Sequence, residues 1–339
     1  MTQQDIENIK QLLSTPKHIV IVPHKNPDGD AIGSTLGLYH YLLKHNHKIT
    51  VISPNDYPGF LKWIPGENSI LKYDSQTDDC NNLIEKADIV FTLDFNALNR
   101  TGDMETVLEY SKAIKILIDH HQEPDDYATY IFSDVSMSST SQMVYHFIDM
   151  LGDLNNIDTN IATCLYVGIM TDTGSFRFSS TSSTTHRIIA DLIEKGANNA
   201  DIHNHIYDTY SYERLQLLGC ALNNLKVLPE LRTAYISLSQ EELNKYNFKK
   251  GDTEGFVNYG LSLENTVLAA IFIEDKQEGI IKISLRSKGN FSVNDLSRAH
   301  FNGGGHINAA GGRSDLSLED TIKKFISILQ SYSNALNDE

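Results

Sequence analysis

The stretch His18–Ser34, HIVIVPHKNPDGDAIGS, carries the clearest structural signal in the chain. Its opening residues, HIVIVP, are nearly all apolar and rich in β-branched side chains, which is typical of a strand buried on both faces of a sheet. A proline and a glycine then predict a tight turn, in which Asp28 and Asp30 flank the glycine. A helical pattern at Ala31–Lys44 follows. This order of strand, turn and helix predicts the first unit of an α/β fold.

The same alternation continues through the first half of the chain. Further strand patterns occur at Lys48–Ser53, Ile89–Asp94, Ile114–Asp119 and Tyr130–Phe132. Helical patterns occur at Asn81–Lys86, Ser141–Leu151, Asn160–Met170 and Thr184–Lys195. Strands that alternate with helices predict βαβ units and a mostly parallel sheet with flanking helices. In such sheets, functional groups gather at the carboxyl ends of the strands.

The pattern changes in the second half of the chain. At roughly 150 residues per domain, the length suggests two domains. We predict a catalytic domain at residues 1–195, a polar helical linker at 196–219 and a smaller α+β domain at 220–339. The elements predicted for the smaller domain are a strand at Thr233–Leu238, an antiparallel pair at Leu268–Glu274 and Ile280–Arg286, and a final helix at Leu316–Leu336.

The charge balance limits the partners of the protein. The chain has 339 residues, with 28 Lys and Arg against 44 Asp and Glu, and a formal net charge of −16. So acidic a surface repels long duplex nucleic acid, because nonspecific binding needs many Lys and Arg to displace counterions. A small or short polyanion stays compatible with this charge if local cations or bound metal ions line its site.

Cysteine usage and the amino-terminal segment predict the location of the protein. The cysteines Cys80, Cys164 and Cys220 are few and far apart, so they predict neither a disulfide framework nor a zinc site, and they fit a reducing cytosol. The segment MTQQDIENIKQLL predicts an amphipathic helix and not a signal peptide. No apolar run reaches the roughly 18 residues of a transmembrane helix. We therefore expect a cytoplasmic protein without a membrane partner.

Acidic residues and histidines follow the ends of several predicted elements. They are His24, Asp28 and Asp30 after the first strand, Asp94 at the end of IVFTLD, Asp119, His120 and His121 at the end of IKILIDHH, and Asp172 after an apolar helix. A single aspartate of this kind is explained equally well as a turn former or a helix cap. Four such segments on one parallel sheet are expected to converge on one edge, where like charges repel unless something neutralises them.

The donor atoms of these segments are carboxylate oxygens and imidazole nitrogens, without thiolate. This set suits manganese, magnesium or another divalent ion better than a structural zinc. Two such ions would balance the four negative charges of Asp28, Asp30, Asp94 and Asp172. Two metal ions about 3.5–4 Å apart can share a carboxylate, activate water and stabilise an in-line displacement at phosphorus. The sequence therefore predicts a dimetal site for phosphoryl chemistry.

At these residues the chain resembles the DHH phosphoesterase superfamily, which is named for the triplet Asp119-His120-His121. Four motifs occur in order: HKNPDGDAIGS, the strand-end Asp94, DHH and TDTGSF. The stretch GGGHINAAGG at Gly303–Gly312 resembles the glycine-rich signature of the DHHA1 domain. The combination extends over nearly the whole chain and is similar to the NrnA-type branch of oligoribonucleases and pAp phosphatases.

The resemblance implies roles for the individual residues. One manganese ion would be held by His24, Asp28 and Asp94, and the other by Asp30, Asp94, His120 and Asp172, with Asp94 bridging. His121 would touch the scissile phosphate or the leaving group. Asp119 is expected to orient His120, because ligating imidazoles usually donate their other N–H to an oxygen. A purely structural role for Asp119 is the alternative.

Several residues are expected to contact the substrate, namely Arg286, Ser287, Gly304, Gly305, His306 and Ser139. The glycines would leave backbone amides free, and a helix start there would direct its dipole at an anion, although an ordinary flexible turn is the alternative. Arg286 is the strongest candidate cation, because a guanidinium can bind phosphate in a bidentate manner. Ser139 either contacts a phosphate or caps the helix that follows it.

The sequence thus predicts a manganese-dependent phosphoesterase whose second domain holds the phosphates of the substrate in a cleft between the domains. The implied substrates are short oligoribonucleotides, adenosine 3′,5′-bisphosphate (pAp), pApA and cyclic dinucleotides, and a homodimer is implied by the resemblance alone. One alternative is a polyphosphatase or pyrophosphatase of the same superfamily. The other is a nucleotide sensor without catalysis, which would be expected to lack metal ligands that are all present here.

Overall fold

A computed structural model describes residues 1–338. The chain forms two compact units, the first at Met1–Thr209 and the second from Tyr210 onward. The stretch that was predicted as a linker, 196–219, contributes one helix to each unit. Among residues 1–338, no helix has both the length and the apolar character that crossing a membrane requires.

The first unit is an α/β domain. Its strands are β1 (His18–Val22), β2 (Lys48–Ser53), β3 (Ile70–Lys72), β4 (Ile89–Leu93), β5 (Ile114–Asp119) and β6 (Tyr130–Ser133). Its α-helices are α1 (Gln3–Leu13), α2 (Gly29–Leu43), α3 (Thr77–Glu85), α4 (Glu105–Tyr110), α5 (Thr140–Met150), α6 (Thr159–Asp172), α7 (Ser183–Glu194) and α8 (Asn199–Tyr207). The strands form one six-stranded sheet in the order β3-β2-β1-β4-β5-β6.

Every pairing in this sheet is parallel, which confirms the predicted sheet. Strand β3 was not predicted, since its three residues are too short to show a period. The strand β1 alternates its side chains between two cores, as the two-residue period of a strand requires. Ile19 and Ile21 pack with residues of α2, α5 and α6, whereas Val20 and Val22 pack with residues of α3 and α4.

Helices α2 and α6 pack closely because glycine lines their interface. A Cβ atom at Gly33 would lie 2.6 Å from the carbonyl oxygen of Cys164, and one at Gly29 would lie 2.7 Å from the methyl carbon of Thr171. The start of α2 therefore lies against the end of α6. This packing brings the turn after β1 close to Asp172, although the two are far apart in sequence.

The second unit is α+β, as predicted. Its strands are β7 (Lys226–Leu228), β8 (Thr233–Leu238), β9 (Leu268–Asp275), β10 (Ile280–Ser287), β11 (Gly304–His306) and β12 (Ala309–Ser314). Its α-helices are α9 (Tyr212–Asn223), α10 (Gln240–Lys245), α11 (Phe256–Leu261), α12 (Val293–His300), α13 (Leu318–Gln330) and α14 (Ser333–Asn337). The sheet order is β11-β12-β10-β9-β8-β7. Within this second sheet, only the β8–β9 pairing is parallel among the described residues, and the predicted antiparallel pair is β9 with β10.

The glycine-rich stretch of the second unit is a β-hairpin formed by β11 and β12. The amide of Gly305 donates to Oδ1 of Asn294 at 2.9 Å, so the prediction that this amide is free was wrong. No helix begins within the stretch, and β12 continues instead. The glycines serve close packing, since a Cβ atom at Gly312 would lie 2.8 Å from the Cβ atom of Phe301.

Candidate metal centre

The carboxyl ends of three neighbouring strands bring the predicted ligands to one edge of the first sheet. His24 follows β1, Asp94 directly follows β4, and Asp119 is the last residue of β5. These strands are adjacent in the order β1-β4-β5, so their ends lie side by side. Asp172 joins them as the last residue of α6. The predicted convergence of distant segments is therefore what the fold produces.

A first cluster consists of His24, Asp28 and Asp94. Nε2 of His24 lies 3.6 Å from Oδ2 of Asp94 and 3.9 Å from Oδ2 of Asp28. Nδ1 of His24 lies 2.9 Å from the carbonyl oxygen of Lys25, which can only accept, so the ring proton belongs on Nδ1 and Nε2 faces the carboxylates. Asp28 also caps α2, because its Oδ1 accepts from the amides of Asp30 and Ala31 while Oδ2 faces His24. The capping and ligand roles are thus compatible.

A second cluster consists of Asp30, His120 and Asp172. Nε2 of His120 lies 3.4 Å from Oδ2 of Asp172 and 3.9 Å from Oδ2 of Asp30. It also lies 3.6 Å from Oδ1 of Asp94. One ligand atom from each member of either cluster lies within 4.8 Å of the others in that cluster. Because Asp94 directs one oxygen at His24 and the other at His120, its carboxylate stands between the two clusters.

The carboxylates of Asp30 and Asp94 are buried and held by the start of α5. Asp30 accepts hydrogen bonds from the amides of Thr140 at 2.6 Å and Ser141 at 2.8 Å. The hydroxyl of Thr140 donates to Oδ1 of Asp94 at 2.9 Å. Ser139 caps α5 by accepting from the amide of Gln142 at 3.0 Å, so the capping interpretation of Ser139 is confirmed.

Asp94 occupies an unusual backbone conformation. Its φ is +66°, in the left-handed region that residues with a side chain rarely adopt. Such strain costs roughly 1–3 kcal/mol and persists only where the surroundings enforce it. Here the amide of Asp94 donates to the carbonyl of Ile118 at 3.2 Å, which extends the β4–β5 ladder by one residue. The left-handed conformation of Asp94 directs its carboxylate between the two clusters.

The burial and mutual repulsion of the carboxylates favour cation binding at this site. Burial raises the pKa of Asp94 well above its ordinary value, and the charges of Asp30 and Asp28 raise it further. Burial likewise raises the pKa of Asp30. Burial alone would lower the pKa of His120, but the carboxylates, chiefly Asp172 and Asp30, outweigh burial and the pKa is raised. Crowded, buried carboxylates of this kind are stabilised by protons or by bound divalent ions.

Asp119 supports His121 and not His120. Nδ1 of His121 donates to Oδ1 of Asp119 at 2.7 Å, whereas Nδ1 of His120 lies 3.3 Å from the carbonyl oxygen of Met137. The prediction that Asp119 orients His120 was therefore wrong. The physical reason is the two-residue period of an extended chain, which places residues 119 and 121 on the same face and residue 120 on the other. Burial lowers the pKa of His121.

Asp94, Asp119 and His121 also satisfy the spacing of a metal site. The hydrogen bond between Asp119 and Nδ1 of His121 already uses one atom from each, so these two residues form a hydrogen-bonded dyad beside the two clusters. The other carboxylate oxygen of Asp119 is buried and, among the described residues, has no hydrogen-bond partner. A buried carboxylate oxygen without a hydrogen-bond partner is stabilised by a nearby positive charge, which protonated His121 supplies to Asp119.

Other residues hold the site in ways that the sequence did not predict. Thr140 is one, and the pair of Asn26 and Asn55 is another. The amide of Asn26 donates to Oδ1 of Asn55 at 2.7 Å, and Nδ2 of Asn55 donates back to Oδ1 of Asn26 at 3.0 Å. This reciprocal pair ties the loop between His24 and Asp28 to the segment after β2. The only sequence signal was the asparagine itself, which tolerates the left-handed φ of +57° found at Asn26.

The predicted substrate contacts of the second unit lie on β10 and the hairpin. Arg286 is on β10, and its guanidinium donates to the carbonyl of Leu285 at 2.9 Å. Ser287 ends β10, is buried, and donates to the carbonyl of Phe291 at 2.6 Å, which secures the following loop. Gly304, Gly305 and His306 form β11, at the edge of its sheet.

We expect Thr140→Val to weaken metal binding without unfolding the protein. The substitution keeps the shape of the side chain but removes the hydroxyl that donates to Asp94. Losing a partner that orients a ligand costs roughly 10–100-fold in metal affinity or activity. Isothermal titration with Mn²⁺ measures the effect. Thr35→Val is the matched control, because among the described residues the hydroxyl of Thr35 donates only to carbonyls of α2. An equal loss of metal affinity in both variants would contradict the expectation.

Comparison with known proteins agrees with this geometry. Residues 18–169 match the DHH family, N-terminal domain, and residues 233–334 match the DHHA1 domain. A protein of Thermus thermophilus named bifunctional oligoribonuclease and PAP phosphatase NrnA is 32% identical over 86% of this chain and 83% of its own. The protein of the same name from Bacillus subtilis is 27% identical over 86% of this chain and 88% of its own.

A solved structure from Bacteroides fragilis is also closely similar. That exopolyphosphatase-related protein is 42% identical, covers 99% of this chain and 98% of its own, and superposes with a TM-score of 0.95. The chain belongs to the DHH family, with a carboxy-terminal DHHA1 domain. It is an enzyme of the phosphodiesterase and phosphatase class.

Proposed function

We propose that the protein is a manganese-dependent phosphoesterase that hydrolyses short oligoribonucleotides to mononucleotides and converts pAp to AMP. The observation that carries the chemistry is the pair of carboxylate and imidazole clusters that share Asp94. The substrate class is supported by the names of the Thermus thermophilus and Bacillus subtilis relatives, to which most of this chain is similar.

The donor set fits two divalent ions. One would be held by His24, Asp28 and Asp94, and the other by Asp30, Asp94, His120 and Asp172. Each cluster supplies one imidazole nitrogen, and this favours Mn²⁺ over Mg²⁺, which prefers oxygen ligands and retains its water. When bound, two such ions would activate a water molecule and stabilise the charge that develops at phosphorus.

The dyad of His121 and Asp119 acts as the general acid. Asp119 holds a proton on Nδ1 of His121, so Nε2 is the ring atom that exchanges a proton with the substrate. In the imidazolium form, Nε2 donates its proton to the leaving oxygen while Asp119 stabilises the positive charge. Because burial lowers the pKa of His121, the imidazolium is a stronger acid than an exposed one. Proton transfer of this kind contributes roughly 10²–10⁴-fold to rate.

The second unit supplies cations and a close-packed backbone for the phosphates. Arg286 offers a guanidinium, and His306 on the edge strand β11 offers a ring nitrogen. Gly304 lets a phosphate approach the backbone of this edge strand, since it carries no side chain, whereas the amide of Gly305 is already bonded to Asn294. In the first unit, Ser139 is fully buried and caps α5, so it is not assigned a phosphate contact.

The net charge of −16 limits substrate length. Long strands would meet a repelling surface outside the site, whereas a dinucleotide or pAp carries few charges beyond it. pApA and cyclic dinucleotides belong to the same proposed class. The three free cysteines fit the cytoplasm, where we place the reaction. A homodimer also remains a prediction.

A polyphosphatase is the second candidate, favoured by the description of the Bacteroides fragilis structure as exopolyphosphatase-related. Both reactions displace an oxygen at phosphorus and would use the same clusters. The two reactions differ in whether the substrate carries a nucleoside. Rates on different substrates therefore distinguish the candidates, whereas metal dependence does not.

A panel of substrates tests the proposal. With Mn²⁺, we expect release of AMP from pApA and of phosphate from pAp, with kcat/KM values at least tenfold above those for pyrophosphate, polyphosphate and a long single-stranded RNA. Asp94→Ala serves as the control for contaminating nucleases. Absence of turnover of pApA and pAp by protein with verified metal content would refute the substrate claim. Faster hydrolysis of polyphosphate would establish the second candidate instead.

A further inference from the structure

The loop that follows Asp172 has a strained backbone. Gly174, Ser175 and Phe176 all lie in the left-handed region, with φ of +56°, +62° and +66°. This conformation is disfavoured for each residue that has a side chain, because the Cβ atom comes too close to the following carbonyl oxygen. At Gly174, a Cβ atom would overlap the ring of Phe178, and the positive φ itself favours glycine. Two strained residues with side chains remain, and something must hold them in place.

Part of the support comes from within the loop. The amide of Ser175 donates to the carbonyl of Met170 at 2.8 Å, and the amide of Phe176 donates to the hydroxyl of Thr173 at 3.0 Å. These bonds tie the loop back onto the last turn of α6, the turn that ends in Asp172. A shift of the loop is therefore transmitted to the carboxylate-bearing turn.

Ser175 is also supported by His203 on α8. Nδ1 of His203 lies 2.8 Å from the carbonyl oxygen of Asn199, so Nδ1 carries the ring proton. Nε2, 3.1 Å from the hydroxyl of Ser175, then accepts a hydrogen bond from it. This hydrogen bond stabilises the loop and offsets part of the backbone strain at Ser175.

Phe176 is held by an aromatic cluster that also includes His203. Its ring centroid lies 5.8 Å from that of Tyr166, 6.0 Å from that of His186 and 6.4 Å from that of His203. Ring pairs at such distances stabilise each other beyond the effect of burial alone. His203 thus bonds to Ser175 and also lies beside the ring of Phe176, the two residues that need support.

We propose that His203 is a positioning residue of the catalytic centre. By holding Ser175 and Phe176 in the left-handed conformation, it fixes the end of α6 and keeps Asp172 within reach of His120. The inference rests on the proposed function in one respect, namely that Asp172 binds a metal ion. His203 itself touches neither the metal ligands nor the substrate in this role.

His203→Ala, with His205→Ala as the control, tests the proposal. His205 lies on the same helix and makes the same kind of bond to a preceding carbonyl, but its ring stacks on Trp63 at 4.5 Å. Mn²⁺ binding is measured by isothermal titration, and kcat and KM are measured with pAp. We expect His203→Ala to weaken one of two metal sites about tenfold and to lower kcat with little change in KM. His205→Ala should match the wild type.

Two further variants keep the test decisive if His203→Ala fails to fold. Ser175→Ala removes only the hydroxyl and should weaken the same metal site, and adding it to His203→Ala should cause no further loss. His203→Gln retains an acceptor and should restore part of the affinity. Wild-type Mn²⁺ affinity in folded His203→Ala, or in Ser175→Ala, would overturn the proposal. Two intact metal sites in Asp172→Ala would instead overturn the ligand assignment in the proposed function, which distinguishes the two failures.

Discussion

Replacing Asp94 with alanine should abolish activity and remove most of the bound metal. The two oxygens of Asp94 face His24 and His120, so one substitution removes a ligand from both clusters. We expect the rate on pAp to fall by roughly 10³-fold or more, since losing a direct ligand exceeds the 10–100-fold cost of losing a supporting residue. Metal content after dialysis, measured by mass spectrometry, should fall from two ions towards none.

Asp88→Ala provides the matched control for this variant. Asp88 directly precedes the same strand, β4, at its opposite end, where its carboxylate accepts from the amide of His18 at 2.8 Å. This variant should retain wild-type metal content and rate. If Asp94→Ala kept two bound ions or its full rate, the assignment of Asp94 as the bridging ligand would be wrong.

The second large effect is expected for Asp119→Asn. The substitution keeps the size of the buried side chain but removes the charge that stabilises protonated His121. We expect kcat to fall about 100-fold with metal content unchanged, because general acid catalysis contributes roughly 10²–10⁴-fold. Rates on pAp and metal analysis of the same sample measure both quantities.

The pH profile gives Asp119→Asn a distinct signature. The hydrogen bond from His121 to Asp119 raises the pKa of His121 against the effect of burial, so losing the charge should lower that pKa. Since the acid form is lost as the pH rises through the pKa, the alkaline limb of kcat should move to lower pH. A parallel loss of bound metal would show instead that Asp119 is a ligand, in the trio with Asp94 and His121.

The sheet and the ligand clusters could be predicted because both follow from local patterns. Buried strands such as β1 are recognised by their apolar, β-branched composition. The carboxyl ends of neighbouring parallel strands lie at the same edge of the sheet. The sequence therefore places Asp94 and His120 at the same edge of the sheet. The two-residue period of an extended chain also predicts that Asp119 contacts His121. The general habit of metal-bound histidines to donate to an oxygen favoured His120 instead, and that prediction was wrong.

Long-range contacts could not be predicted in the same way. Helix α7 and the start of α8 separate Ser175 from His203 along the chain. No pattern in either segment predicts their hydrogen bond. The hairpin of Gly304 and Gly305 was misjudged because glycine fits both an open turn and a close-packed strand. Only the neighbouring helix α12, which supplies Asn294, decides between them.

Anomalous diffraction from crystals grown with Mn²⁺, recorded on both sides of the manganese absorption edge, tests the dimetal centre most directly. We predict two peaks about 3.5–4 Å apart, with Asp94 between them. One should be bound by His24 and Asp28, and the other by Asp30, His120 and Asp172. No peak at the end of β4, or a single peak at full Mn²⁺ saturation, would contradict the dimetal mechanism.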